Sequence, residues 1–205
     1  MQVTLALKIA RRVYRQELKV HIQGINVASF KEFADDFTGE SDRAAVIIGA
    51  AKIDILLYLL LKAVLKPSSS NQDSLLDGDS PLGTFSSRIN LCQRLGLIED
   101  RLASAINMIR KIRNSFAHEI HNVSLDSGSH KDRIRELAKL CSGKHDMINQ
   151  AIDVWSLPNS PSGQFKAALI MITISLELGV DNATPILSLN KNELLDFPEV
   201  DETST

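Results

Sequence analysis

The chain has 205 residues, of which 44% are apolar and 23% are charged, and its formal net charge is −2 at neutral pH. This is the composition of an ordinary globular domain, and the lack of a global basic field argues against tight, sequence-independent DNA binding. Aromatic residues are scarce while Leu, Ile and Ala are plentiful, which favours helices over a sandwich of short strands.

The chain also lacks the patterns of membrane and metal proteins. No run approaches the ~18 uninterrupted apolar residues of a membrane span, and the N-terminus has only a short apolar portion before its first charges. Cys92 and Cys141 have no metal-site spacing and are predicted to be small buried hydrophobes. We therefore expect a cytoplasmic protein without a metal, another cofactor or a membrane segment.

The first part of the chain predicts three helices. One runs from about Val3 to Gln23 and has a basic side, and a short helix with a phenylalanine stripe follows it. The longest runs from about Asp42 to Lys66 and is apolar nearly all round, which is typical of the central helix of a bundle. Asp54 interrupts this apolar stretch and needs a partner, for which Arg113 is the favoured candidate.

Two further helices follow a turn-rich segment from Leu75 to Gly83. Thr84 is a good N-cap for a helix through Arg94, in which Arg88 lies beside apolar residues on adjacent turns. The next helix has the best amphipathic pattern in the chain, because its apolar residues recur at gaps of three and four. These residues are Leu102, Ala105, Ile106, Ile109, Ile112 and Phe116.

The last turns of this helix carry two arginines, an asparagine and a histidine. At about 100° per residue, Arg113 falls near the middle of the apolar face, where a charge is costly unless it is paired. Asn114 and His118 stack on one flank, and Arg110 lies one turn before Asn114. Two interpretations stay open. Arg113 either pairs with a carboxylate and pins the packing, or it projects with His118 into a cleft that cleaves a phosphodiester without metal.

The motif from Arg113 to His118, which reads RNSFAH, resembles the signature of the HEPN superfamily (higher eukaryotes and prokaryotes nucleotide-binding domains). The resemblance implies a helical bundle, often dimeric, and many members are ribonucleases. It implies that His118 moves protons, that Arg113 stabilises charge on the phosphate, and that Asn114 orients His118 or contacts the phosphate. Two chains meeting at this helix would bring two such sets together on RNA, which alone carries the attacking 2′-hydroxyl.

A longer run, LLDGDSPLGTFSSRI from Leu75 to Ile89 followed by Leu95 to Ile98, resembles the mannitol operon repressor family. The likeness spans roughly Phe37 to Leu125 and implies an intracellular bacterial regulator of helical architecture. No helix-turn-helix with a basic recognition helix is evident, so regulation through protein contacts is favoured over direct DNA reading. The alternative is a metal-independent endoribonuclease of the toxin or defence type, and the sequence leaves open whether the protein is an enzyme.

The rest of the chain predicts a loop from His121 to His130 and three helices. The helices cover Lys131 to Leu140, Met147 to Trp155 and Gln164 to Leu178, the last with a strand as its alternative. We predict one all-α domain of about six to eight helices over residues 1–185, followed by an acidic, mobile tail over residues 186–205. The expected partners are a second copy of the chain and a regulator or antitoxin protein.

Overall fold

The computed structural model describes residues 37–119, 124–142 and 146–186. These residues form six α-helices and no strand, which confirms the predicted all-α bundle. The predicted first helix, most of the phenylalanine helix and nearly all of the acidic tail lie outside the described residues. The helices are α1 (Asp42–Val64), α2 (Phe85–Arg94), α3 (Asp100–His118), α4 (Gly128–Ser142), α5 (Met147–Trp155) and α6 (Pro161–Asp181).

Local sequence signals set the helix starts. The Ser41 hydroxyl accepts a hydrogen bond from the Ala44 N–H at 3.3 Å and so caps the start of α1. Thr84 and Ser87 form a reciprocal capping box at the start of α2. α6 begins with proline in its first turn, where the missing N–H costs nothing, and it is helical throughout, so its strand alternative is wrong.

The core lies where α1 and α6 cross, with α3, α2, α4 and α5 packed around this pair. α1 buries one face against α6, α3 and α2, including Ile53, Leu57 and Leu61. Gly49 allows the closest approach of α1 and α6, because a Cβ atom there would lie 2.5 Å from Cδ1 of Leu169. Burying each large aliphatic side chain of this core stabilises the fold by about 1.5–3 kcal/mol.

A polar cluster ties the starts of α1 and α6 together. The Asp42 carboxylate accepts hydrogen bonds from the Leu125 N–H, at 2.9 Å, and from the Ser162 hydroxyl. The buried Lys166 ammonium donates to the backbone carbonyls of Thr38 and Glu40 at 3.0 and 2.6 Å. The bond from Leu125 also ties the segment just before α4 to the start of α1.

Two helices, α1 and α6, have the length and hydropathy of a membrane span. Within the bundle, 67% of the most apolar window of α6 and 50% of that of α1 are buried. Lys52 of α1 also pairs with Glu177 of α6 at 2.9 Å, so the two helices are joined by an ion pair within the protein. Both helices therefore pack as core helices of this bundle.

Candidate functional site

Arg113 is exposed, and its predicted place in the middle of the buried face of α3 is wrong. Most of the buried residues of this helix follow steps of three, from Ala103 through Ile106 and Ile109 to Ile112, and Phe116 follows four residues later. Three residues advance a helix by about 300°, so the buried stripe turns back by about 60° at each step. By the last two turns the stripe has moved away from Arg113, which needs no buried carboxylate.

An open groove of about 430 Å³ lies between the end of α3 and α4. Two of the sequence-predicted residues, Asn114 and His118, line it. The full lining is Lys111, Asn114, Ser115, His118, Glu119 and Arg133. The Arg113 guanidinium lies beside this groove, because its Nη1 donates to Oδ1 of Asn114 at 3.1 Å. The structure therefore gathers the three predicted catalytic residues at one exposed helix end.

The groove has a surplus of positive charge. Lys111, His118 and Arg133 make no side-chain hydrogen bond or ion pair within the described residues. Its one carboxylate, Glu119, accepts from the Ser115 hydroxyl at 3.0 Å and lies 3.5 Å from Nε2 of His130. Two cationic side chains, Lys111 and Arg133, beside an engaged carboxylate favour an anionic ligand or an acidic protein surface.

His130 contacts Glu119 of the groove from α4, and this contact was not among the sequence-based predictions. It was predicted in a loop, but α4 begins at Gly128, so that boundary is wrong. The ring is 5% exposed and meets Phe116 edge-on, with 4.9 Å between ring centroids. Its Nδ1 is buried and has no hydrogen-bond partner within the described residues. The signal was present, because His130, Ile134 and Leu137 recur at gaps of four and three.

The supporting residues that the sequence suggested lie elsewhere. Asp54 pairs with Arg88, with 2.8 Å between Oδ1 and Nη1, and its predicted pairing with Arg113 is wrong. Arg110 is half-buried and donates through Nε to Oδ1 of Asn107 at 3.3 Å, within α3. Arg110 does not line the groove, and Asp54 and Arg88 form a separate cluster.

That separate cluster fixes the loop between α1 and α2. Besides the ion pair with Asp54, Arg88 donates to the carbonyls of Leu82 and Leu76 at 3.0 and 3.1 Å. Its guanidinium also lies over the Tyr58 ring, 5.2 Å from the centroid. One arginine thus holds two points of the loop to α1.

Asp77 completes the loop. It accepts from the Asp73 N–H at 2.9 Å and from the Tyr58 hydroxyl at 3.0 Å, and these bonds hold the pKa of its carboxyl below the ordinary value. A Cβ atom on Gly83 would lie 2.0 Å from the Gly78 carbonyl oxygen, so the turn requires glycine there. The run that carries the family resemblance therefore has a structural role in this chain.

Both cysteines are free thiols, and Cys92 is buried as predicted, whereas Cys141 is half-buried. Burial raises the pKa of Cys92 to about 12 and that of Cys141 to about 12. The thiolate is the nucleophilic form, so neither side chain is suited to nucleophilic chemistry at neutral pH.

Comparison with known proteins finds a likeness in structure. The chain is similar to a chain of the MtlR–HPr complex from Escherichia coli, with a TM-score of 0.55 and 18% sequence identity. The superposition covers 72% of this chain and 98% of that one, and at this identity it shows a shared fold. No family model and no curated protein matches the sequence. The helical architecture implied by the mannitol operon repressor resemblance is confirmed, whereas the HEPN resemblance gains no support.

Proposed function

We propose that this chain is a cytoplasmic bacterial regulator that acts by binding another protein and does not read DNA directly. The observation that carries the proposal is the fold shared with MtlR, which was solved in complex with HPr. The shared region covers 98% of the MtlR chain, so the whole of that helical scaffold has a counterpart here. HPr is accordingly the partner class that we propose.

The basic groove at the end of α3 is the surface that fits such a contact best. Lys111 and Arg133 stand on two helices that pack against each other, so their spacing is preset before a partner arrives. A preset arrangement lowers the entropy cost of association. Their charges attract an acidic patch on a partner and speed its approach, an effect that salt screens.

The test is a calorimetric titration of the full chain with HPr of the host bacterium, at low and at physiological salt. We expect saturable binding that weakens as salt rises, and no comparable binding to duplex DNA. Tight binding to DNA together with no binding to HPr would overturn the proposal. A circular dichroism spectrum of the same sample checks that the chain is folded, so that either result can be interpreted.

A second candidate function is RNA cleavage without metal, favoured by the position of Arg113, Asn114 and His118 at one exposed helix end. In this reaction His118 takes the proton of a ribose 2′-hydroxyl, whose oxygen attacks the phosphorus. The P–O5′ bond breaks, the leaving oxygen takes up a proton, and a 2′,3′-cyclic phosphate remains. Arg113 stabilises the charge on the phosphate oxygens.

This second function requires two sets of catalytic side chains, and one chain supplies a single set. The described part of the chain offers one such set of side chains, and the resemblance implies two sets brought together by a second copy meeting at α3. The test is incubation of the full chain with bulk RNA in a chelator, beside Arg113→Ala and His118→Ala. Cleavage by the native chain alone, with cyclic phosphate ends, supports this function, and intact RNA in all three samples contradicts it.

A further inference from the structure

The outer face of α1 is apolar although it faces solvent. Ile48 is 45% exposed, Ile55 is 55% exposed and Leu59 is 40% exposed, and the small Ala51 lies between them, also exposed. Seven large apolar side chains are exposed among the described residues, and four of them, with Ile47 as the fourth, lie on this helix. Soluble proteins rarely leave a contiguous apolar stripe open, and such stripes mark interaction sites.

The stripe has a regular register. At about 100° per residue, Ala44, Ala51, Ile55 and Lys62 fall within about 40° of one line along the helix. Ile48 and Leu59 lie on one side of that line, and Ile47 lies on the other. The residues buried in the core lie on the opposite side of the same helix. The stripe is thus a second packing face, with the small residue Ala51 near its middle.

Charges of opposite sign close the two ends of the stripe. Glu40 is exposed just before α1, and Lys62 and Lys66 are exposed at its C-terminal end. Glu40 and Lys62 are equally far from Ala51 along the chain, at eleven positions on either side. A second copy that runs antiparallel and crosses at Ala51 therefore sets Glu40 against Lys62, whereas a parallel copy sets lysine against lysine.

We propose that this outer α1 face, made of Ala44, Ile48, Ala51, Ile55 and Leu59, is the interface of a two-fold antiparallel homodimer. In that register Ala51 meets its own counterpart on the axis. Ile48 of one copy then lies next to Ile55 of the other, one residue from direct opposition, and Ala44 lies likewise next to Leu59. The antiparallel arrangement also opposes the two helix dipoles favourably. The inference stands on the face itself and does not rest on the proposed function.

This dimer keeps the two basic grooves apart. Arg43, near the start of α1, donates to the Glu119 carbonyl at 3.0 Å, so the end of α3 lies beside the start of α1. Arg43 is eight positions from Ala51, and at ~1.5 Å per residue the two copies of Arg43 lie about 24 Å apart along the helix axis. Each groove is then free for its own partner, and the two sets of Arg113 and His118 do not meet.

The test measures the mass of the full chain by light scattering and sedimentation across micromolar concentrations. We expect a dimer for the native chain and a monomer for Ile55→Glu, because a carboxylate enters the interface twice. Self-association should weaken at least about a hundredfold. Leu95→Glu, at a side chain that is 37% exposed outside this face, is the matched control and should stay dimeric.

Two further variants test the register. Lys62→Glu alone should weaken the dimer, and adding Glu40→Lys to it should restore the dimer. Ala51→Cys should form a disulfide-linked dimer under mild oxidation, whereas the native chain, whose two thiols are shielded, should not. A monomeric native chain overturns the inference. A monomer is the result expected if residues 1–36 or a lipid surface covered the face in place of a second copy. A dimer unaffected by Ile55→Glu and without the Ala51→Cys cross-link overturns it equally.

Discussion

Arg88 and Asp54 form an ion pair with 2.8 Å between Nη1 and Oδ1. The two residues are 34 positions apart in the chain, and their ion pair joins α2 to α1. Arg88 keeps 13% and Asp54 keeps 30% of its side chain exposed, so the pair is half-shielded from water. With the two carbonyls that Arg88 also holds, the pair fixes the loop between α1 and α2. The run Leu75–Ile89 therefore specifies the shape of this loop.

Replacing Arg88 by alanine should destabilise the protein, by about 2–4 kcal/mol. The change leaves two carbonyls and a half-buried carboxylate without their shared donor. Arg113→Ala is the matched control, because Arg113 is an exposed arginine whose loss should change the free energy of unfolding by less than about 0.5 kcal/mol. Urea unfolding of both variants measures the difference. Equal losses would show that Arg88 is not the clamp of this loop.

Much of the scaffold could be predicted from the sequence, because helix caps and apolar spacing are local signals. Asp42 was predicted to start the longest helix, and α1 begins there. The errors arose where tertiary geometry decides. The tilt of the buried stripe on α3 depends on how that helix crosses its neighbours, which no local pattern gives, so Arg113 was placed inside. The partner of Asp54 depends on which helix lies alongside, and Arg88 is there.

The candidate site was predictable in part. The spacing of Asn114 and His118 places them on one flank, and both line the groove. Arg133 and the buried His130 come from α4, on the far side of residues 120–123, which lie outside the described part of the chain. A contact between side chains on two separate helices has no signature in a single sequence. The groove's positive charge therefore became evident only in the structure.

Stability should depend on Asp77 in acid. Its folded-state pKa lies below the ordinary value of 3.8, chiefly because the Asp73 N–H donates to it. A depressed carboxyl pKa adds stability above the unfolded pKa, and that stability is lost as the pH falls through the folded pKa. The melting temperatures of the native chain and Asp77→Asn should therefore differ at pH 6, and the difference should shrink as the pH falls below the ordinary pKa of 3.8. A constant difference between these pH values would contradict this role.

Both thiols should react slowly in the folded protein. Burial raises the pKa of Cys92 and of Cys141 to about 12, so the thiolate is scarce at pH 8. Titration with a chromogenic disulfide should give far slower colour release from the native chain than from the chain in guanidinium, where two thiols react. Fast release of one equivalent from the native chain would show an accessible thiol.

RNA should remain intact in the presence of the purified chain if the regulator proposal holds. The native chain, Arg113→Ala and His118→Ala should then give identical gel profiles after incubation with a chelator. The antiparallel dimer gives the same expectation for a separate reason, since it keeps the two sets of Arg113 and His118 apart. Cleavage that both variants abolish would favour the ribonuclease and would require a dimer that meets at α3.

The central claim is that the basic groove binds a protein partner, and titration of HPr into three forms of the full chain tests it most directly. The forms are the native chain, Lys111→Glu with Arg133→Glu, and Arg94→Glu as a control for an exposed arginine outside the groove. We predict saturable binding to the native and control chains, and binding at least about tenfold weaker for the double variant, since about 1.4 kcal/mol is lost. Equal affinity in all three forms, or no binding to the native chain, would contradict the claim.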